Sequence, residues 1–206
     1  EFERALSSVA DHPVRLTAAG RTDAGVHALM QVAHFDTTSV RSEQAWVLGG
    51  SAAAADDLSV LWAREVPGDF HARFSALSRT YCYRVLNRRI RPALERQRSC
   101  WIRRPVDAAA MHEAAQCLLG EHDFSAFRSA HCESSTPVRR ITAVAVRRYG
   151  MRVEIEVSAN AFLHHMVRNI AGTLLAVGVG DRPVAWAAEV LAARDRTVAG
   201  PTAVAR

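Results

Sequence analysis

Residues 141–158 read Ile-Thr-Ala-Val-Ala-Val-Arg-Arg-Tyr-Gly-Met-Arg-Val-Glu-Ile-Glu-Val-Ser. In the second half Met151, Val153, Ile155 and Val157 alternate with Arg152, Glu154 and Glu156. Successive side chains of a strand point to opposite faces, so this alternation predicts a strand with one buried and one wet face. Tyr149-Gly150 between two such runs is a turn signal, and the stretch predicts an antiparallel hairpin with strands at 141–148 and 151–158. A long apolar segment follows directly, with Leu163, Val167, Ile170, Leu174 and Val177 at helical spacing. Hairpin plus helix favours an α+β fold over a doubly wound parallel sheet.

Working upstream, Phe2, Ala5, Leu6 and Val9 line one face of a helix over residues 2–10. Strands are expected at 14–17, 31–35, from Leu58 to near Val66, and at 80–86, with a small-residue loop at 18–25. Ser42 reads as the N-cap of a helix through Trp46 and Leu48 that Gly49-Gly50 ends. Asp107 caps a helix through Met111, Ala115 and Leu118, stopped by Gly120. Downstream of the hairpin, Pro183 suits the first turn of a last helix through Trp186, Val190 and Leu191. The seam between two halves is placed near Ser75–Leu77, which gives 1–76 with the Gly20–Ala28 loop and 77–206 with the long helix.

The 206 residues carry 26 basic and 21 acidic side chains, a formal net charge of +5, and every basic residue is Arg. With 49% hydrophobic and 23% charged residues the composition excludes disordered, collagen-like and multi-span membrane classes. The longest mainly apolar stretch, 159–179, contains His164, His165 and Arg168, which makes it a poor membrane span. Residues 1–4 do not open a signal peptide. Cys82, Cys100, Cys117 and Cys132 form no CxxC pair, so they are read as reduced thiols of a cytoplasmic protein. The charge is unevenly spread: residues 79–104 hold nine arginines against Glu95 alone, leaving the rest of the chain net acidic. Tyr81, Tyr83 and Trp101 are interleaved with these arginines, a pattern that suits a nucleic-acid backbone.

Two local sequences could carry chemistry. In Gly20-Arg21-Thr22-Asp23-Ala24-Gly25-Val26-His27-Ala28 two glycines bracket Arg-x-Asp, a loop able to aim one carboxylate or simply a tight turn. It matches neither dinucleotide nor P-loop patterns. In Asn160-Ala161-Phe162-Leu163-His164-His165-Met166-Val167-Arg168-Asn169, Arg168 lies in apolar surroundings and needs a carboxylate partner, for which Asp23 is the candidate. His164-His165 suggests metal, but adjacent helical residues point about 100° apart, so no metal site is expected.

These segments resemble those of the TruA-type tRNA pseudouridine synthases. The likeness runs in order through Gly20–Ala28, Gln31–Phe35, Phe70–Ala76, Arg79–Tyr83, Leu119–Phe124, Asn160–Gly172 and Gly200-Pro201-Thr202-Ala203. It implies the pseudouridine synthase fold, two α/β halves with a shared, mostly antiparallel sheet flanked by helices. It also implies isomerisation of uridine at positions 38, 39 and 40 of the tRNA anticodon stem-loop by a homodimer. Asp23 would be the catalytic carboxylate and Arg168 its partner, Tyr81 would stack on the target base, and Arg21 would fill the space that the flipped uridine leaves. Against the family pattern the chain is short at both ends. A first strand with a Tyr-Asp-Gly segment and a last strand past Ala203 are missing, and Val204 stands where Pro is usual. A truncated chain is therefore expected.

Pseudouridine formation breaks N1–C1′ and rejoins the same base through C5, so neither a redox step nor a group donor, and hence no cofactor, is required. A base in a stacked helix must first be extruded. A single carboxylate can then attack the nucleotide or remove a ribose proton to give a glycal, while an aromatic wall retains the loose base. Two other classes compete. A glycoside hydrolase would need a second acid at a set separation, and none accompanies Asp23 locally. A catalytically silent RNA-binding module with a retained synthase fold is the alternative reading.

Overall fold

The computed structural model describes residues 1–205. They divide into two compact units, one formed by Glu1–Arg21 and Ala28–Ala76, the other by Thr22–His27 and the chain from Leu77 onward. By sequence position the Asp23 loop falls in the N-terminal half. Its tip nevertheless packs within the second unit, because Asp23 is bound by Arg168 and the His27 ring by the Gln97 carbonyl.

In the first unit, helix α1 (Phe2–Ala10) buries Ala5, Leu6 and Ala10. Helix α2 (Glu43–Ala53) starts at Ser42, whose hydroxyl accepts from the Ala45 amide at 3.1 Å. Leu6, Ala10, Val14 and Trp46 form a small core, and Trp46 packs edge-on to Phe35 at 5.1 Å. Three expectations fail here for visible reasons. The strand at 14–17 shrinks to β1 (Thr17–Ala18), paired with β2 (Ala33–His34). Upstream of it, α1 side chains take the amides: Val14 donates to Ser7 Oγ at 2.8 Å and Leu16 to Glu3 Oε1 at 2.9 Å. Gly49-Gly50 does not end α2, because the pair serves close packing. A Cβ on Gly49 would stand 2.9 Å from a Val9 methyl, and one on Gly50 3.2 Å from a Val60 methyl. No strand forms from Leu58 to Val66 either; the Val60 amide donates to Ser51 Oγ at 2.9 Å instead of to a ladder.

The second unit is built on a sheet of order β4-β3-β7-β6-β5. Its strands are β3 (Arg79–Asn87), β4 (Cys100–Ile102), β5 (Gly120–Asp123), β6 (Val138–Tyr149) and β7 (Arg152–Ala159). Among the described residues only β3 and β4 pair in parallel; the other pairs are antiparallel. The α+β class is therefore observed, with pairing among the described residues falling into two sheets rather than one shared ladder.

The hairpin 138–159 is the centre of this unit. Val153, Ile155 and Val157 are fully buried, as the alternation requires, while Met151 sits at the turn and is exposed. On β6 the buried residues are Arg139 and Ile141, then Val144 and Val146. The change of parity comes from a bulge between Ile141 and Ala143, where one extra residue reverses which face a side chain meets. The outer face carries ion pairs across the strands, Arg84–Glu154 at 3.5 Å and Arg147–Glu156 at 3.9 Å.

Three helices, α3 (Ala108–Ala115), α4 (Met166–Gly178) and α5 (Trp186–Ala193), complete the core with Met111, Ile170, Leu174 and Val190. Each fully buried aliphatic side chain contributes about 1.5–3 kcal/mol. Asp107 caps α3 as expected, accepting from the amides of Ala109 and Ala110. Along α4 the chain from Gly200 to Ala203 passes so close that a Cβ on Gly172 would lie 1.7 Å from the Pro201 carbonyl oxygen. No helix of the described residues is long and apolar enough to cross a membrane. The four cysteines are unpaired.

Candidate active site

Residues 22–27 carry Asp23 on a tight turn in which the Val26 amide donates to the Asp23 carbonyl at 3.0 Å, with Gly25 at φ 90°. Arg168 sits in the first turn of α4 and donates from Nη1 to Asp23 Oδ2 at 2.5 Å. Its Nε donates to the Ala203 carbonyl at 2.7 Å. The guanidinium is thus held at both ends, and its planar donors suit this better than an ammonium would. The paired side chains are 21% and 26% exposed, so the pair is largely withdrawn from water yet Asp23 remains reachable.

The contact expected between Asp23 and Arg168 is present. The reasoning about His164-His165 is not supported. The helix expected through Leu163 begins only at Met166, and His165 precedes it with a left-handed backbone, φ 61°. The two imidazoles therefore do not diverge: they lie against each other, 3.8 Å between centroids and tilted by 33°. Both meet Asp23, His165 Nε2 at 3.3 Å from Oδ2 and His164 Nε2 at 3.7 Å from Oδ1. Asp23, His164 and His165 bring potential ligand atoms within 4.8 Å of one another. Arg168 faces the same carboxylate.

Tyr81 lies on β3, half-buried, with its ring edge-on to Phe162 at 4.9 Å and 84°. Burial raises the pKa of its phenol; Arg79 pulls it down and the Asp23 charge pushes it further up. Tyr81 and Asp23 therefore share one electrostatic environment. Phe162 was not singled out by the sequence, and its placement against Tyr81 depends on the β3–β7 register. Arg21 belongs to the first unit and is exposed.

The arginines of 79–104 do not act as one patch. Arg84 pairs with Glu154, and Arg104 makes two 2.8 Å bonds to Asp181. Arg88 binds the carbonyls of Ile90 and Arg91. Glu95, the acid of the strip, is met by Arg152 at 3.6 Å. Arg89, Arg91, Arg96, Arg98 and Arg103 are exposed. Arg96 also lines an open recess of about 530 Å³ with Gly25, His27, Gln97 and Ala205.

The sequence pattern of the tRNA pseudouridine synthase family matches residues 1–75 and 114–206. Proteins named tRNA pseudouridine synthase A are close relatives. The one from Methylococcus capsulatus is 57% identical over 98% of this chain and 75% of its own length. That from Xylella fastidiosa is 57% identical over the whole chain and 80% of its own. That from Xanthomonas oryzae pv. oryzae is 58% identical over 98% and 79%. The match includes both the Asp23 turn and the start of α4 that meets it, and on this basis the chain belongs to the tRNA pseudouridine synthase family.

Proposed function

We propose that this protein isomerises uridine to pseudouridine in tRNA, at positions 38, 39 and 40 of the anticodon stem-loop, with Asp23 as the carboxylate that acts on the nucleotide. The observation that carries the reading is one carboxylate held by a guanidinium at 2.5 Å and still a quarter exposed. The extruded uridine presents C1′ to Asp23. Asp23 either attacks the nucleotide or takes a ribose proton; in both routes N1–C1′ breaks, the uracil turns, and C5–C1′ forms as the C5 proton leaves and N1 gains one. Overall the atoms balance without a co-reactant.

Tyr81, backed by Phe162, provides the wall on which the detached uracil stacks. Arg21 enters the space left in the RNA. The exposed arginines of 79–104 contact phosphates, whose neutralisation supplies salt-dependent affinity. A homodimer that grips the anticodon arm and a cytoplasmic location, which the unpaired cysteines suit, belong to the same proposal.

The test is chemical mapping of pseudouridine in unmodified tRNA after incubation with the wild type and with Asp23→Asn. Signal at 38–40 that vanishes in the variant, with tRNA binding kept, is expected. Equal loss of binding and fold would sink the catalytic assignment of Asp23. Tight binding with no signal even in the wild type would identify a silent RNA-binding module.

A further inference from the structure

His165 occupies the position before α4 with φ 61° and ψ 6°. Non-glycine residues rarely adopt this left-handed backbone, and such residues concentrate at functional sites. The conformation is anchored on both sides. The Ser129 amide donates to the His164 carbonyl at 3.0 Å, and the His164 amide contacts Cys132 Sγ at 3.4 Å. The Asn169 amide then donates to the His165 carbonyl at 2.9 Å, opening the helix. The result is to swing the His165 ring onto Asp23, with the His164 ring lying against it.

The two oxygens of Asp23 are treated differently. Oδ2 faces Arg168 Nη1 at 2.5 Å and His165 Nε2 at 3.3 Å. Among the described residues Oδ1 has His164 Nε2 as its ion-pair neighbour, at 3.7 Å, beyond hydrogen-bond range. Hydrogen bonds of this kind tighten when substrate closes the site. The groups facing His165 are Asp23, His164, Arg168 and His131. Burial lowers its pKa most, His164, Arg168 and His131 act in the same direction, and Asp23 opposes them. The ring is therefore neutral near pH 7 and can donate one N–H.

We propose that His165 is a positioning residue that, with Arg168, holds Oδ2 of Asp23 and so leaves Oδ1 as the oxygen that meets the nucleotide. This rests on the reading of Asp23 as the acting carboxylate. Arg168 alone fixes one oxygen but not rotation about the carboxylate; the His165 ring, with Nε2 3.3 Å from the same oxygen, limits that rotation.

Steady-state kinetics on unmodified tRNA, in the intact protein, compare wild type, His165→Asn, His165→Gly and Asp23→Asn. Asn and Gly both accept the left-handed backbone, but neither reaches Oδ2. Both are expected to lower kcat about 10- to 100-fold, the loss typical of a reacting group misplaced by about 1 Å. KM for tRNA should stay within about threefold of wild type, since ground-state binding is untouched. Added imidazole should restore part of kcat in His165→Gly, where it can fill the vacant place. Wild-type kcat in His165→Asn, a loss confined to KM, or no response of His165→Gly to imidazole overturns the proposal. Asp23→Asn separates the two levels. Full activity there removes the reading of Asp23 itself, whereas an inactive Asp23→Asn beside an unaffected His165→Asn removes only the role of His165.

Discussion

Replacing Arg168 with Met should expose how strongly the site depends on its ion pair. The guanidinium Nη1 lies 2.5 Å from Asp23 Oδ2, and the two side chains are 21% and 26% exposed. With charge centres about 4 Å apart and an effective dielectric near 20, the attraction is about 4 kcal/mol. Breaking a fully buried pair costs about 3–5 kcal/mol because one charge is left alone. Partial exposure lets water recover some of this, which brings the expected loss in Arg168→Met to about 2–3 kcal/mol. Part of that loss is the Ala203 carbonyl, which forfeits its 2.7 Å bond to Nε. The clean measurement is a double-mutant cycle with Asp23→Asn by urea denaturation. A coupling of about 2 kcal/mol is expected between residues in such contact. Additivity within about 0.5 kcal/mol would refute the argument, because it would mean that each side chain is as stable without the other. Arg168→Lys should retain part of the coupling, since it keeps the charge but cannot span both Asp23 and the Ala203 carbonyl.

Further outcomes follow from the same geometry. Tyr81→Leu should reduce kcat for isomerisation while leaving tRNA affinity nearly unchanged, because the stacking wall matters once the base is out; equal loss in a binding assay would contradict this. Neutralising the exposed Arg89, Arg91 and Arg98 together should flatten the plot of log affinity against log salt by about 2 units, at roughly 0.7–0.9 per phosphate contact, whereas neutralising Arg104, engaged by Asp181, should leave the slope unchanged. Gly172→Ala should lower stability by at least 1–3 kcal/mol, as overpacking does, because its Cβ would meet the Pro201 carbonyl; a melting temperature equal to wild type would refute this close packing of 200–203 on α4. Asp123 accepts hydrogen bonds from Ser125, which hold its pKa below the usual carboxylate value, with Arg194 adding to the effect. Its contribution is complete above its unfolded pKa and is lost as pH falls through the lower folded value, so Asp123→Asn should flatten the acid side of the stability curve below about pH 4.

The parts of this fold governed by short-range patterning were legible in the sequence. Alternation along 151–158 located the hairpin, and Asp107 and Ser42 marked two helix starts whose caps are seen. What depended on distant partners was not. A bulge between Ile141 and Ala143 leaves no clear local mark, yet it decides which residues of β6 are buried. The glycines at 49 and 50 read as a stop, but their meaning is set by Val9 and Val60. Leu58, Val60 and Trp62 alternate like a strand, yet no partner strand pairs with them among the described residues, and periodicity cannot supply one. At the site, Arg168 in apolar surroundings pointed to a carboxylate. The imidazoles were missed because their directions were deduced from a helix that starts after them.

The beginning of α4 carries a conflict that explains why that error was avoidable. A helix N-terminus favours an acidic residue in its first turn and a Ser, Thr, Asp or Asn cap. This one has no acidic residue in its first turn, no capping side chain, and a cation, Arg168, placed where the helix dipole is already positive. Each choice is locally unfavourable, and together they mark a helix start that is not built for its own stability. The missing negative charge is Asp23, supplied from 145 residues away in the chain. A helix start that lacks its own anion and is held open by a left-handed His is a socket for a carboxylate. The same departures that cost stability at this position therefore orient the Asp23 carboxylate.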